Sequence, residues 1–356
     1  KISAEALTTL ATSILTHAGG APDAAHRVAT RLVDANLTGH DSHGVGMIPA
    51  YVEGILAGQL IPDAAAKVVQ DKGPFLLVDG HQGFGHIVAA QAMMLAIERA
   101  RTSHFAVLSL RRSFHLGRLG DWGAKAAEAG FICILYANVQ SSRPIVAPFG
   151  GSDARFVTNP YCTAIPATEK HPMFLLDMAT STIAMGKARV ADLSGNQVPE
   201  GCVIDASGRP TTDPAVMFED PPGALTTFGQ HKGFGLALLG DILGGSFSGG
   251  GAYSPEREVV GQILNNMMAI LIDPNVFGTA EAFGIDVDKY TDWVKSSPPA
   301  PGVEAVQLPG DPERRAAKDR RANGISLDDG TRAQLLAAAK SAGVPEAEIN
   351  ALTVAS

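Results

Sequence analysis

The sequence predicts a mixed α/β protein whose sheet-forming middle is inserted between helical segments from the two ends of the chain. Three observations carry this. Five short apolar runs, rich in β-branched and aromatic residues, lie at 74–78, 106–110, 131–137, 174–178 and 268–273, each bounded by Gly, Pro, Asp or Asn as buried strands are. Helical patterns occupy 87–101, 117–129 and 233–243 between some of them. Helical hairpins stand at both ends of the 356 residues.

Taken in order, Ser3 is placed to cap a helix over 3–20, with Leu7, Leu10, Ile14 and Leu15 on one face and Gly19-Gly20 as its stop. A second helix begins near Asp23 and turns Val28, Leu32 and Val33 inward. The C-terminus repeats the layout: a helix through Leu335-Leu336 runs to Gly343, and Pro345 opens a short successor. The expected division is a discontinuous helical domain, 1–70 with 290–356, around a mixed-sheet region at 71–289. The Pro-rich stretch 295–312 crosses back over the surface between them.

Composition narrows the function. Hydrophobic residues make 46% and charged residues 18% of the chain, which excludes global disorder. The 39 glycines and 22 prolines together exceed their usual share of about 12%, so tight turns and close backbone approaches are expected. The net charge is −8, and the densest basic stretch is only Arg314, Arg315, Lys318, Arg320 and Arg321, so a nucleic-acid partner is not expected. Cys133, Cys162 and Cys202 form no CxxC pair, which argues against disulfides and structural zinc and for a reducing, cytoplasmic setting. No uncharged apolar run reaches 18 residues and no signal peptide is visible, so no membrane role is expected.

Several glycine-flanked clusters could carry chemistry. In GHDSHG at 39–44, His40, Asp41, Ser42 and His43 bring two imidazoles, an acid and a hydroxyl together; His43 suits proton exchange near neutrality. A metal set from His40, Asp41 and His43 is the weaker alternative, because i, i+3 spacing supplies at most two imidazoles. A polar N-cap loop is the plain one. The segment FHLGRLG at 114–120 follows a strand and opens a helix, so its N–H groups and Arg118 suit an anion; a capping role for His115 is the alternative. GFGH at 83–86 imitates the dinucleotide fingerprint, but Val88 replaces its third Gly and Arg111-Arg112 follow the next strand instead of an acid. Asp177, Met178, Ala179, Thr180 and Ser181 end a strand with acceptors and donors, and GQHKGFG at 229–235 carries His231 and Lys232 into an apolar helix, suiting phosphate or ribose. LPGDPER at 308–314 reads locally as a turn and helix start. No GxSxG, P-loop or kinase motif occurs. Histidines in glycine-rich turns favour proton-coupled hydride chemistry over nucleophilic catalysis.

Together, DSHGVGMIPAYV (41–52), DGHQGFGH (79–86), HLGRLGDWG (115–123), VAPFGG (146–151), RFVTNP (155–160), LLDMATSTIAMGK (175–187), GQHKGFGLALLGDILGG (229–245) and LPGDPE (308–313) resemble the type-2 malate/L-lactate dehydrogenase family, in the same order and up to about Gly324. SHGVGMIP and PGDPE look most like its hydroxycarboxylate dehydrogenase branch. The resemblance implies a non-Rossmann, mixed-sheet cofactor- and substrate-binding region in a homodimer with its active site near the subunit interface, and makes Gly83-Phe84-Gly85 a structural turn. It implies NAD or NADP, with NAD favoured, held by His43, Gly117, Arg118, Leu119, the strand end from Asp177 to Ser181, His231, Lys232, Gly310, Asp311, Pro312 and Glu313.

The activity so implied is hydride transfer between a nicotinamide cofactor and a 2-hydroxy acid/2-oxo acid pair. His43 is the first choice of acid/base, His115 the second, and Asp177 holds an imidazole or a ribose hydroxyl. Many family members have Arg where this chain has Met47, so a carboxylate clamp is missing and Arg118, Arg143 or backbone N–H groups must replace it. Ser42 and Tyr51 complete the expected substrate contacts; a helical stretch over 45–55 would put Met47 and Tyr51 on one face. A cyclic 2-imino acid reductase of the same fold, and a non-catalytic small-molecule binding protein, are the rivals. No metal is expected.

Overall fold

The computed structural model describes residues 1–140, 143–254 and 263–349. Near the N-terminus, α1 (Ala4–His17) is capped by Ser3, whose hydroxyl accepts the Ala6 N–H at 3.1 Å. Proline at its first position starts α2 (Pro22–Leu37). Two 3₁₀ turns, Asp41–His43 and Val45–Met47, then lead into α3 (Ile48–Leu56).

The middle of the chain forms a seven-stranded sheet from β1 (Lys67–Lys72), β2 (Phe75–Asp79), β3 (Phe105–Ser113), β4 (Ile132–Gln140), β5 (Tyr161–Ile165), β6 (Phe174–Met178) and, after a three-stranded sheet of β7 (Val203–Ile204), β8 (Pro210–Thr211) and β9 (Ala224–Leu225), β10 (Leu264–Ile272). Its order is β1-β2-β3-β10-β4-β5-β6, and only β2 and β3 run parallel, joined by the crossover helix α4 (Gly85–Ser103). This is a mixed sheet, as expected, and not the parallel array of a Rossmann unit.

The strands foreseen at 74–78, 106–110, 131–137, 174–178 and 268–273 are β2, β3, β4, β6 and β10 within a few residues. The edge strand β1 was not foreseen: all six of its residues are exposed, so Lys-Val-Val-Gln-Asp-Lys shows no buried alternation to read. β5 escaped for another reason. Its inward residues, Cys162 and Ala164, are small because α5 (Gly120–Glu128) lies directly on them; a Cβ on Gly123 would stand 2.8 Å from Cys162 Sγ. The helix expected over 117–129 starts only at Gly120, since Gly117 has φ +74. The helix expected over 233–243 is α7 (His231–Leu239) running into a π-helical segment, Gly240–Ser246. Unforeseen helices are α6 (Met185–Leu193) and α8 (Ala280–Lys295); α9 (Asp311–Asn323) grows from the turn at 308–314.

Two apolar cores position the site. One joins α1, α2, α3 and α10 (Asp329–Ser341) through Leu7, Ile14, Leu32, Ile48 and Leu335, and reaches Phe84 and Phe114. The other packs α4 and α5 on the sheet, with Met93, Trp122 and Ala126 against Leu108, Leu135 and Leu271. Residues 83–86 and 113–117 run along the seam between them.

Candidate active site

Four side chains meet in that seam. His43 ends the first 3₁₀ turn, and its Nδ1 lies 3.0 Å from Nε2 of His115, with the rings stacked at 5.3 Å and 4°. His115 Nδ1 is 3.0 Å from the Tyr51 hydroxyl, which is 3.2 Å from Nδ1 of His86. His43 is half-buried; His115, Tyr51 and His86 are buried. The result is one continuous chain of exchangeable groups with its outer end at His43.

Close backbone approach makes this possible. A Cβ on Gly85 would fall 2.0 Å from the His115 carbonyl oxygen, and one on Gly117 would fall 2.2 Å from His86 Nε2. The GFGH turn is therefore a seat for His115 and not a phosphate loop, as the resemblance implied. Asn36 holds the His43 loop: its Oδ1 accepts the Val45 N–H at 2.9 Å and its Nδ2 donates to Asp41 at 2.7 Å. From α9, Arg320 grips both Asp41 oxygens at 2.6 and 3.0 Å, and Glu313 sits 3.3 Å from His40. Asp41 is thus engaged in an ion pair, and His40 in a contact with Glu313. Among the described residues no three His, Cys, Asp or Glu side chains are grouped as a metal set.

Burial keeps these imidazoles neutral. It pulls His43 down to about 4, with the neighbouring His40 imidazole as the next cause, and pulls His86 to about 4; His115, flanked by both, lies well below its ordinary value. An unfolded histidine titrates near 6.5. Between about 6.5 and about 4 the unfolded chain therefore binds protons that the folded chain refuses, so this contribution to stability is full above about pH 6.5 and is lost as pH falls. The urea midpoint is expected to drop between about pH 7 and about pH 5, and to drop less in His86→Gln. An equal drop in both proteins contradicts the assignment.

Asp177, at the end of β6, accepts the Gly120 N–H at 2.8 Å, and burial pushes its carboxyl up, against the pull of His40 and Arg118. Arg118 is buried and donates twice to Asp121 Oδ1, at 3.0 and 2.6 Å. That ion pair occupies the guanidinium expected to clamp the substrate. Tyr51 needs a correction too: it is fully buried, with its hydroxyl on histidines, so it stands behind the site and not against a substrate. Met47 is half-buried against the helical core. Arg143 directs Nη2 to the Met217 carbonyl beside the small sheet. Ser42 is exposed and faces Gly186 at the start of α6.

The expected cofactor residues divide similarly. Thr180 Oγ1 donates to the Thr158 and Asn159 carbonyls and Ser181 Oγ to Ile183, so these hydroxyls shape the strand end internally. The Leu119 side chain lies in the core, Gly117 makes room for His86, and Asp311 closes its own turn on Leu308 and Arg314. Met178 and Ala179 are half-buried, and His231 and Lys232 are exposed at the start of α7. Gly310, at φ +95, and Pro312 open α9 and bring Glu313 inward. Glu313 Oε2 and Asp121 Oδ2 are buried acceptors without a hydrogen-bond partner among the described residues. The sequence reading missed Asn36 and Arg320, which lie in no motif, passed over Asp121 within HLGRLGDWG, and took His86 for part of a turn.

Comparison with known proteins agrees with this architecture. The family model described as malate/L-lactate dehydrogenase matches residues 2–336. Hydroxycarboxylate dehydrogenase B of Escherichia coli K12 is 41% identical over 353 residues, 99% of this chain and 97% of the relative. An L-lactate dehydrogenase of Cupriavidus necator is 41% identical over 313 residues, 88% of this chain and 90% of its own. The solved malate dehydrogenase of Pyrococcus horikoshii OT3 superposes with a TM-score of 0.84 at 31% identity, covering 97% of this chain and 96% of that one. The chain belongs to the malate/L-lactate dehydrogenase family.

Proposed function

We propose that this protein interconverts a 2-hydroxy acid and a 2-oxo acid with a nicotinamide cofactor, and that His43 is the acid/base. The observation that carries it is the half-buried His43 imidazole, whose inner nitrogen is fixed on His115 and whose other nitrogen is left for a substrate. In reduction, His43 Nε2 gives a proton to the oxygen that becomes the hydroxyl; in oxidation it takes that proton. His115 fixes the His43 ring, and Tyr51 fixes His115.

The residues present fit NAD or NADP, with NAD favoured. Glu313 Oε2 is a buried acceptor awaiting a donor, and the exposed Lys232 offers positive charge and His231 a ring N–H at a helix start, which suits a diphosphate. Asp177, Met178 and Ala179 would line the same site. Bound there, the nicotinamide supplies or accepts the hydride. The substrate contacts of Ser42, Arg143 and Met47 belong to the same proposal.

No helix among the described residues is long and apolar enough to cross a membrane. We place the protein in the cytoplasm, where its three buried cysteines stay as free thiols. We also propose a homodimer, on the ground that α8 and its approach expose Phe277, Ile285, Tyr290 and Trp293. Light scattering should then give a mass well above the 36.9 kDa of one chain.

The test of the activity is a panel of pyruvate, oxaloacetate, phenylpyruvate and a cyclic 2-imino acid, scored by loss of NADH or NADPH absorbance. Turnover of the 2-oxo acids is expected, with NADH bound in calorimetry without added metal and the rate unchanged by EDTA. Turnover of the imine alone points to the reductase rival. Binding without turnover of any compound points to a binding protein. Loss with EDTA and recovery with zinc would revive His40 and His43 as ligands.

A further inference from the structure

His86 has no part in the reaction as described so far, yet the fold is built around it. It lies in the first turn of α4, 3% exposed, with its ring nearly perpendicular to that of His115 (82°) at 6.0 Å and its Nδ1 on Tyr51. Gly117 leaves out a side chain where Nε2 lies. An apolar ring would fill the same space but leave Tyr51 without this partner.

The Tyr51 hydroxyl has one proton and three acceptors in reach, the His115 and His86 nitrogens at 3.0 and 3.2 Å and the His115 carbonyl at 3.3 Å; with the proton on either of the two nearer nitrogens, the chain has two polarities. If Tyr51 donates to His86, then His115 Nδ1–H donates to Tyr51, His43 Nδ1–H donates to His115, and His43 Nε2 presents a lone pair. If His86 Nδ1–H donates to Tyr51, every bond reverses and His43 Nε2 presents an N–H. The first state is a base for oxidation and the second an acid for reduction.

We propose that His86 is a positioning residue that sets this polarity, and so decides whether His43 meets the substrate as base or as acid. The inference rests on the reading of His43 as the acid/base. In oxidation, the substrate O–H bond breaks and its proton joins His43 Nε2, while the electron pair of the C–H bond leaves with the hydride. The His43 Nδ1 proton passes to His115 Nε2, the His115 Nδ1 proton to Tyr51, and the Tyr51 proton to His86 Nδ1. His43, His115 and Tyr51 each gain and lose one proton, and the positive charge ends on His86. Reduction runs the same transfers backwards. The charges facing His86 are Asp121 on α5, which favours the cation, and Arg31 on α2 and His43 in its loop, which oppose it along with burial. The resting ring is therefore neutral, and the proton that oxidation places on His86 Nδ1 is the one that reduction takes back.

The experiment compares wild type with His86→Gln, which hydrogen-bonds but carries no proton onward, and His86→Phe, which only fills the space. Both variants are expected to keep KM within about 2-fold and to lose about 10-fold in kcat, below the full worth of an acid/base. Their kcat–pH profiles should shift in opposite senses for the two directions. Nitrogen NMR of the substrate-free protein gives a readout independent of turnover: the His115 tautomer should change in both variants. A folded His86→Gln with wild-type kcat, pH profile and His115 tautomer would reduce His86 to a space-filler. If neither variant folds, wild-type spectra decide, since a His115 held in one and the same tautomer with the reduced and with the oxidised cofactor bound overturns the proposal. If wild type turns over none of the acids, the functional reading fails on its own, and the NMR comparison still judges the polarity claim.

Discussion

His43→Ala is expected to lower kcat by about 10²- to 10⁴-fold, the range of a lost general acid–base, while NADH affinity changes far less. The geometry sets this expectation: His43 is the outer end of the histidine–tyrosine chain, and the other three groups are buried behind it. His115→Ala should also slow turnover, but through the loosened His43 ring. Rate constants with pyruvate for both variants, beside calorimetric NADH binding, separate the roles. If His43→Ala keeps most of its kcat while His115→Ala loses it, then His115 meets the substrate and the two histidines exchange places in the mechanism.

Gly85→Ala is expected to cost about 3 kcal/mol of stability, at the upper end for overpacking, and to displace His115. The added Cβ would stand 2.0 Å from a backbone oxygen and 2.4 Å from its carbon, so no side-chain rotation relieves it; the 113–117 segment itself must move. Gly235→Ala is the matched control. It lies inside α7 with nothing within 4 Å of its Cβ position, and alanine there should gain up to ~1 kcal/mol. Urea denaturation of both variants checks the pair. A Gly85→Ala protein as stable as wild type would mean that the seam yields more easily than its packing implies.

What the sequence made legible follows from how locally each feature is encoded. β2, β3, β4 and β10 were readable because one face is buried and the other, mostly half-buried, is largely apolar too, which leaves nearly unbroken apolar runs. β1 was not, because an exposed edge imposes no pattern. His43 and His115 were found as histidines among glycines. The partners that decide their chemistry come from elsewhere: Tyr51 was assigned to the substrate because nothing in its own stretch shows that 0% of it is exposed, and Arg118 was assigned to a carboxylate because its ion pair with Asp121 becomes visible only when the turn closes into α5. Asn36 and Arg320 lie outside every motif, 284 residues apart through the Arg320 contact to the Asn36 carbonyl, and only the packing of α9 on α2 joins them to the His43 loop.

The position of β10 has a consequence for synthesis. Among the described residues it is the last strand in chain order and the central one in the sheet, bonded to β3 on one side and β4 on the other. Until Ile272 has left the ribosome, β3 and β4 each keep one row of backbone N–H and C=O groups open. From Gln140 to Ile272, at roughly 5–20 residues per second, that interval is on the order of 10 s. For that time the nascent chain carries two nine-residue edges that can pair with other unfinished chains, which is the vulnerability that ribosome-bound chaperones relieve.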